Sequence, residues 1–62
     1  MKRRDWLINL TNTASIVARY YGEAEVRSIL AKYDATSIDS LRPCFYSDAF
    51  WDLEDRAKQA KD

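Results

Sequence analysis

The sequence predicts one small all-α domain of three helices over residues 1–62, and three observations carry that prediction. Apolar residues recur at spacings of three and four through three separate segments, the period of a half-buried helix. The only glycine, Gly22, falls between the first two segments, and the only proline, Pro43, falls at the start of the third, so neither interrupts one. Apolar residues make up 47% of the chain and eight residues are aromatic, enough to build a core and too apolar for a disordered tail. A chain this short buries only about 60% of its unfolded surface, so a stability of a few kcal/mol is expected.

The first helix is expected over residues 5–21. At about 100° per residue, Trp6, Leu7, Leu10, Ala14, Val17, Ala18 and Tyr21 share an arc about 120° wide. Asp5 stands where an N-cap would, and Gly22 follows where a residue of positive φ ends a helix. The second helix is expected over residues 23–33, with Val26, Ile29, Leu30 and Tyr33 inward and Glu25, Arg27, Ser28 and Lys32 outward. Glu23 and Glu25 suit its positive end, and Asp34 takes the position just beyond it, where glycine would serve better. A one-turn helical connector near residues 37–41, capped by Ser37, sends Ile38 and Leu41 into the core. Pro43 then opens a third helix over residues 43–60, since a missing N–H costs nothing in a first turn. Its inward stripe is Tyr46, Ala49, Phe50, Leu53, Ala57 and Ala60. The shared core is expected to be Leu10, Val17, Val26, Ile29, Leu30, Leu41, Tyr46, Phe50 and Leu53.

The inventory of reactive groups argues against an enzyme. The chain has no histidine, so it lacks the commonest general base and the commonest transition-metal ligand. Cys44 is alone, with no base to make it a nucleophile and no second thiol for zinc or disulfide exchange. One glycine cannot form a phosphate-cradling loop. No catalytic residue, cofactor or metal site is therefore expected. The lone cysteine fits a reducing cytoplasm. The basic start Lys2-Arg3-Arg4 is followed by Asp5 and an apolar run of only Trp6, Leu7 and Ile8, too short for a secretory or membrane segment.

Charge is balanced overall but unevenly placed. Residues 1–32 hold six basic and three acidic groups, net +3, and residues 33–62 hold four basic and seven acidic, net −3. That is too weak an excess for a general nucleic-acid coat, and it suits docking between proteins. On the third helix Asp48, Asp52 and Asp55 are spaced i, i+4, i+7 on one outer face. The plain reading is a solvated stripe partly paired with Arg56 and Lys58. The sharper readings are an acidic docking strip for a basic partner or, with less support, a divalent-cation site, which ordinarily recruits loop oxygens as well. Trp51 projects off the core stripe on this same side, with Cys44 two turns before it, and an exposed tryptophan is a preferred interface anchor. A rival patch lies on the first helix, where Ile8, Ile16 and Tyr20 fall about 80–150° from the buried centre, beside Arg19. A small domain can also wrap such residues into its own core. Lys2, Arg3, Arg4 and Arg19 are the candidates for phosphate contact, though a basic terminus is more often simply solvated.

From Tyr21 to Glu54 the chain reads Y-G-x-A-E-V-x-x-I-L-x-K-Y-x-A-x-S-I-x-x-L-x-P-x-x-Y-x-x-x-F-x-x-L-E. This pattern resembles short helical modules in proteins of phages and mobile elements of Gram-positive gut bacteria. In those modules a Lys-Tyr-Gly-Ala stretch ends one helix and Leu-x-Pro-x-x-Tyr opens the next. Here Leu41 to Tyr46 matches, while Lys32-Tyr33-Asp34-Ala35 has Asp in place of Gly. The resemblance covers about half the chain and implies a helical fold and a mobile-element origin, without naming a functional residue. Small proteins of such elements often occlude a surface of a larger host machine, CRISPR and other defence effectors included. The leading expectation is thus a cytoplasmic protein that docks to a larger host protein or protein–nucleic-acid complex, as an inhibitor or modulator. A nucleic-acid-associated accessory protein and a structural homodimer closed by the Ile8, Ile16 and Tyr20 stripe are the alternatives.

Overall fold

The computed structural model describes residues 2–61. Helix α1 spans Arg3–Tyr21, α2 spans Glu23–Ala31, and a 3-10 turn at Pro43–Phe45 leads directly into α3, Tyr46–Lys61. There is no strand among the described residues. The protein is a three-helix all-α domain, as its apolar periodicity predicts.

The first helix begins two residues earlier than expected. Lys2, not Asp5, is the N-cap, and it offers no side-chain cap; its carbonyl accepts from the Trp6 N–H at 3.1 Å. Asp5 instead sits in the first turn, where its charge favours the positive helix end. Arg3 and Arg4 are good helix formers, so nothing in them halts the helix at Asp5. At the other end Gly22 has φ 92° and ψ 161°, a region open in practice only to glycine, and its N–H bonds the Ala18 carbonyl at 2.8 Å. One residue thereby ends α1 and starts α2, turning the chain back on itself.

Helix α2 ends at Ala31 rather than at residue 33, because a six-to-one closure takes over its last turn. The Ala35 N–H bonds the Leu30 carbonyl at 3.2 Å and the Asp34 N–H bonds that of Ala31 at 3.1 Å. Asp34 holds φ 63°, the left-handed position of this motif, and Ala35 and Leu30 are both buried. Glycine would adopt this backbone without the Cβ penalty that Asp34 bears. Asp34→Gly should raise the unfolding free energy by about 0.5–1 kcal/mol, read as a higher urea midpoint at unchanged slope. An unchanged or lower midpoint would show that Asp34 makes a compensating contact.

The connector forms turns rather than the expected turn of helix. Ser40 N–H bonds Ser37 O and Leu41 N–H bonds Ile38 O, each at 3.2 Å. Ser37 Oγ accepts from the Ser40 N–H at 3.3 Å, and Ser40 Oγ accepts from the N–H groups of Thr36 and Ser37. This serine lock drives Leu41 into the core and lays Ile38 against it.

Cross-helix pairs give the directions of the bundle. Arg3 meets Tyr46, Trp6 meets Phe50 and Thr13 meets Glu54, so α1 and α3 run parallel. Glu25 meets Arg56 while Lys32 and Tyr33 meet Asp52, so α2 runs antiparallel to both. The buried core comprises Leu10, Ala14, Val17, Ile29, Leu30, Ala35, Leu41, Tyr46, Ala49, Leu53 and Ala57. Val26 and Phe50, expected inside, pack against it from the edge, and Ala60 is half-buried. With a shortest dimension of 14 Å the bundle has little room for a deeper interior.

Candidate functional site

The outer face of α3 follows from its core stripe. Tyr46, Ala49, Leu53 and Ala57 are buried, and Trp51, nearly opposite them on the helix, is 61% exposed. It is the most exposed of the large apolar side chains, yet it is not loose. Its ring meets Phe50 edge-on at 5.6 Å, and Phe50 in turn meets Trp6 of α1 edge-on at 5.8 Å. Trp51 shares a shallow concavity with Asp52, Glu54, Asp55 and Lys58. Asp48 and Asp55 are exposed one turn to either side of it. Cys44 is exposed on the 3-10 turn, two turns earlier.

The three aspartates do not act as one strip. Asp52 is half-buried and faces α2, where its carboxylate accepts from the Tyr33 hydroxyl and lies 3.7 Å from Lys32 Nζ. Nor does Arg56 pair with them. Its guanidinium reaches Glu25 of α2 at 2.7 Å, holds Gln59 at 3.0 Å and lies over the Tyr21 ring at 5.1 Å. Both placements have one cause: Asp52 and Arg56 sit on the α2-facing flank of α3, one turn apart, so the packing of α2 claims them. Among the described residues no three acidic or thiol side chains gather as a cation would require.

The Tyr33–Asp52 contact has a consequence at high pH. Hydrogen bonding to Asp52, then burial, then the charges of Asp52 and Asp48, push the Tyr33 hydroxyl up to about 12. The folded state therefore holds the proton more tightly than the unfolded chain, whose tyrosines titrate near about 10. This contribution is complete below pH about 10 and is lost as pH rises through about 12. Urea midpoints measured from pH 9 to 12 should fall steeply in the wild type and less in Tyr33→Phe. Parallel curves would remove Tyr33 from the α2–α3 contact.

The rival patch on α1 is broken in the structure. Ile16 is half-buried and packs against the core, while Ile8 at 50% and Tyr20 at 54% are exposed. Twelve residues, about 18 Å of helix, separate those two. The buried arc of α1 has turned toward Thr13, which is 4% exposed and donates to Glu54 Oε1 at 3.5 Å, and away from Tyr21, which is 41% exposed. Packing of α3 on the Thr13 side draws Ile16 inward, and no continuous Ile8, Ile16 and Tyr20 stripe remains. Tyr20 lies two turns beyond Thr13 and Trp51 one turn before Glu54, so both border the α1–α3 side of the bundle. Along the helix axes they are about 15 Å apart.

The basic candidates also divide. Arg3 Nε donates to the Tyr46 hydroxyl at 3.1 Å, so it joins the start of α1 to the start of α3 rather than fraying. Lys2, Arg4 and Arg19 are exposed, but Arg19 lies fifteen residues beyond Arg4 on the same helix, about 22 Å away. These four residues form no single patch. The cross-helix partnerships Tyr33–Asp52, Glu25–Arg56 and Thr13–Glu54 had no local signal, since each depends on how two helices are packed.

Comparison with protein-family models, curated proteins and solved structures finds no match to this chain. Among the described residues, no helix is long and apolar enough to cross a membrane.

Proposed function

We propose that this chain is a non-enzymatic binding domain that docks to a larger host protein through the outer face of α3, with Trp51 as the anchor. One observation carries the reading: a tryptophan 61% exposed, braced by Phe50, on the face of α3 opposite its buried stripe of Tyr46, Ala49, Leu53 and Ala57. Tryptophan supplies large, stiff contact area, and a few such residues dominate most interfaces. Asp48, Glu54 and Asp55 surround it with negative charge, which favours approach to a basic surface. The absence of histidine and of a paired thiol supports a binding role over catalysis. The resemblance of residues 21–54 to phage and mobile-element modules supports a setting in the host cytoplasm, where the chain would modulate or inhibit a larger effector, a CRISPR or other defence machine among them.

The test is affinity capture from host lysate with the tagged chain, compared across wild type, Trp51→Ala and Tyr20→Ala, each checked for folding by circular dichroism. Loss of the captured protein with Trp51→Ala and its retention with Tyr20→Ala is the expected outcome. The reverse would move the working face to α1.

A further inference from the structure

We propose that the Trp51 face selects arginine: the partner side chain seated there is a guanidinium stacked on the indole and bonded to the neighbouring carboxylates. This deepens the reading of α3 as a docking face and rests on it. The indole meets Phe50 at an interplanar angle of 70°, so no ring lies parallel against it, and 61% of the residue stays in solvent. The wall around that ring is acidic. Asp52, Glu54 and Asp55 line its concavity against one cation, Lys58, and Asp48 stands a turn before it. The ion pairs among the described residues are Arg27–Glu23, Lys32–Asp52 and Arg56–Glu25. Glu54, Asp55 and Asp48 belong to none of them. Glu54 makes one long contact, with Thr13 at 3.5 Å.

The chemistry of the occupant follows from combining these groups. An apolar partner covering Trp51 would strip water from carboxylates within one turn on either side and leave them uncompensated, which is costly. A phosphate backbone would meet like charge. Two copies meeting face to face on this surface would set Asp48, Glu54 and Asp55 against themselves. A cation resolves all three problems, and the exposed ring decides which cation. A guanidinium is planar, weakly hydrated, stacks on an aromatic face and can take a carboxylate in a two-bond fork. An ammonium is compact and strongly hydrated, and gains less from the ring.

The probe is a pair of blocked octapeptides of equal charge, acetyl-(Gly-Arg)4-amide and acetyl-(Gly-Lys)4-amide, titrated into the full chain and followed by ¹H–¹⁵N NMR. The arginine peptide should shift the Trp51 indole N–H and the amides of Asp48, Glu54 and Asp55, and bind about fivefold more tightly than the lysine peptide. Trp51→Leu keeps apolar bulk but removes the π face, so it should cut the preference to about twofold or less, the part left to the two-bond fork, while the remaining spectrum stays dispersed. Glu54→Gln with Asp55→Asn should weaken both peptides. Equal affinities in the wild type, a preference undiminished in Trp51→Leu, or shifts confined to another surface would each overturn the proposal. If a lysate partner is lost on Trp51→Ala while the peptides bind equally, arginine selection fails and the docking face stands. If no captured protein depends on Trp51 and the peptides show no preference, both fail.

Discussion

Leu30→Ala is expected to lower the unfolding free energy by about 2–4 kcal/mol, the range for truncating a buried leucine when the gap cannot close. Leu30 is 1% exposed, and with Ile29 it supplies the buried surface of α2. A helix of nine residues has no independent stability in water, so α2 exists because those two side chains are held. The Leu30 carbonyl also accepts the closing bonds from Tyr33 at 2.9 Å and Ala35 at 3.2 Å, so a shift of this residue loosens the turn that feeds the connector. Against a total stability of a few kcal/mol, the variant should be largely unfolded at 37 °C. For a domain of this size each kcal/mol moves the melting temperature by about 4–8 °C, so a drop of about 10 °C or more is expected. A shift of only a degree or two would mean that Leu30 is not the keystone of the α2 contact.

Most of the fold was legible because helix period and helix punctuation are local properties. Gly22, Asp34 and Pro43 mark breaks that the backbone confirms with φ 92°, φ 63° and a 3-10 entry into α3. The start of α1 was not legible, since Lys2 caps it without a side-chain bond and leaves no residue-type signature. The regular part of α2 closes at Ala31, and Tyr33 carries the apolar period on to the left-handed Asp34, its ring packing on Phe45 at 5.3 Å. The candidate face divides in the same way. That Trp51 points outward follows from α3 alone, and the structure agrees. That Asp52 and Arg56 turn inward, and that Ile16 is drawn toward the core, depends on where α2 and α3 sit round their neighbours. A single helical wheel contains nothing about that angle.

Trp51→Ala should weaken partner binding by about 2 kcal/mol or more, roughly thirtyfold in Kd, while leaving the melting temperature nearly unchanged. The two halves of this expectation come from different contacts. Binding loses a large stiff ring at the centre of a charged rim, and no neighbour on α3 can replace its area. Stability loses the edge-on ring contact with Phe50, which keeps its own contact with Trp6 and its packing against the core. The carboxylates should behave differently. Replacing Asp48 and Asp55 by Asn should mainly slow association and flatten its dependence on salt, because exposed charges steer encounter more than they hold the complex. Asp52→Asn belongs to neither group: it should also lower the melting temperature, since Asp52 accepts from Tyr33 and pairs with Lys32 across the α2–α3 contact. Surface plasmon resonance on the captured partner, with thermal melts on the same preparations, separates these effects. A large melting loss in Trp51→Ala would make Trp51 a core residue. A collapse of binding in a folded Tyr20→Ala variant, with Trp51→Ala unaffected, would place the anchor two turns beyond Thr13, on α1.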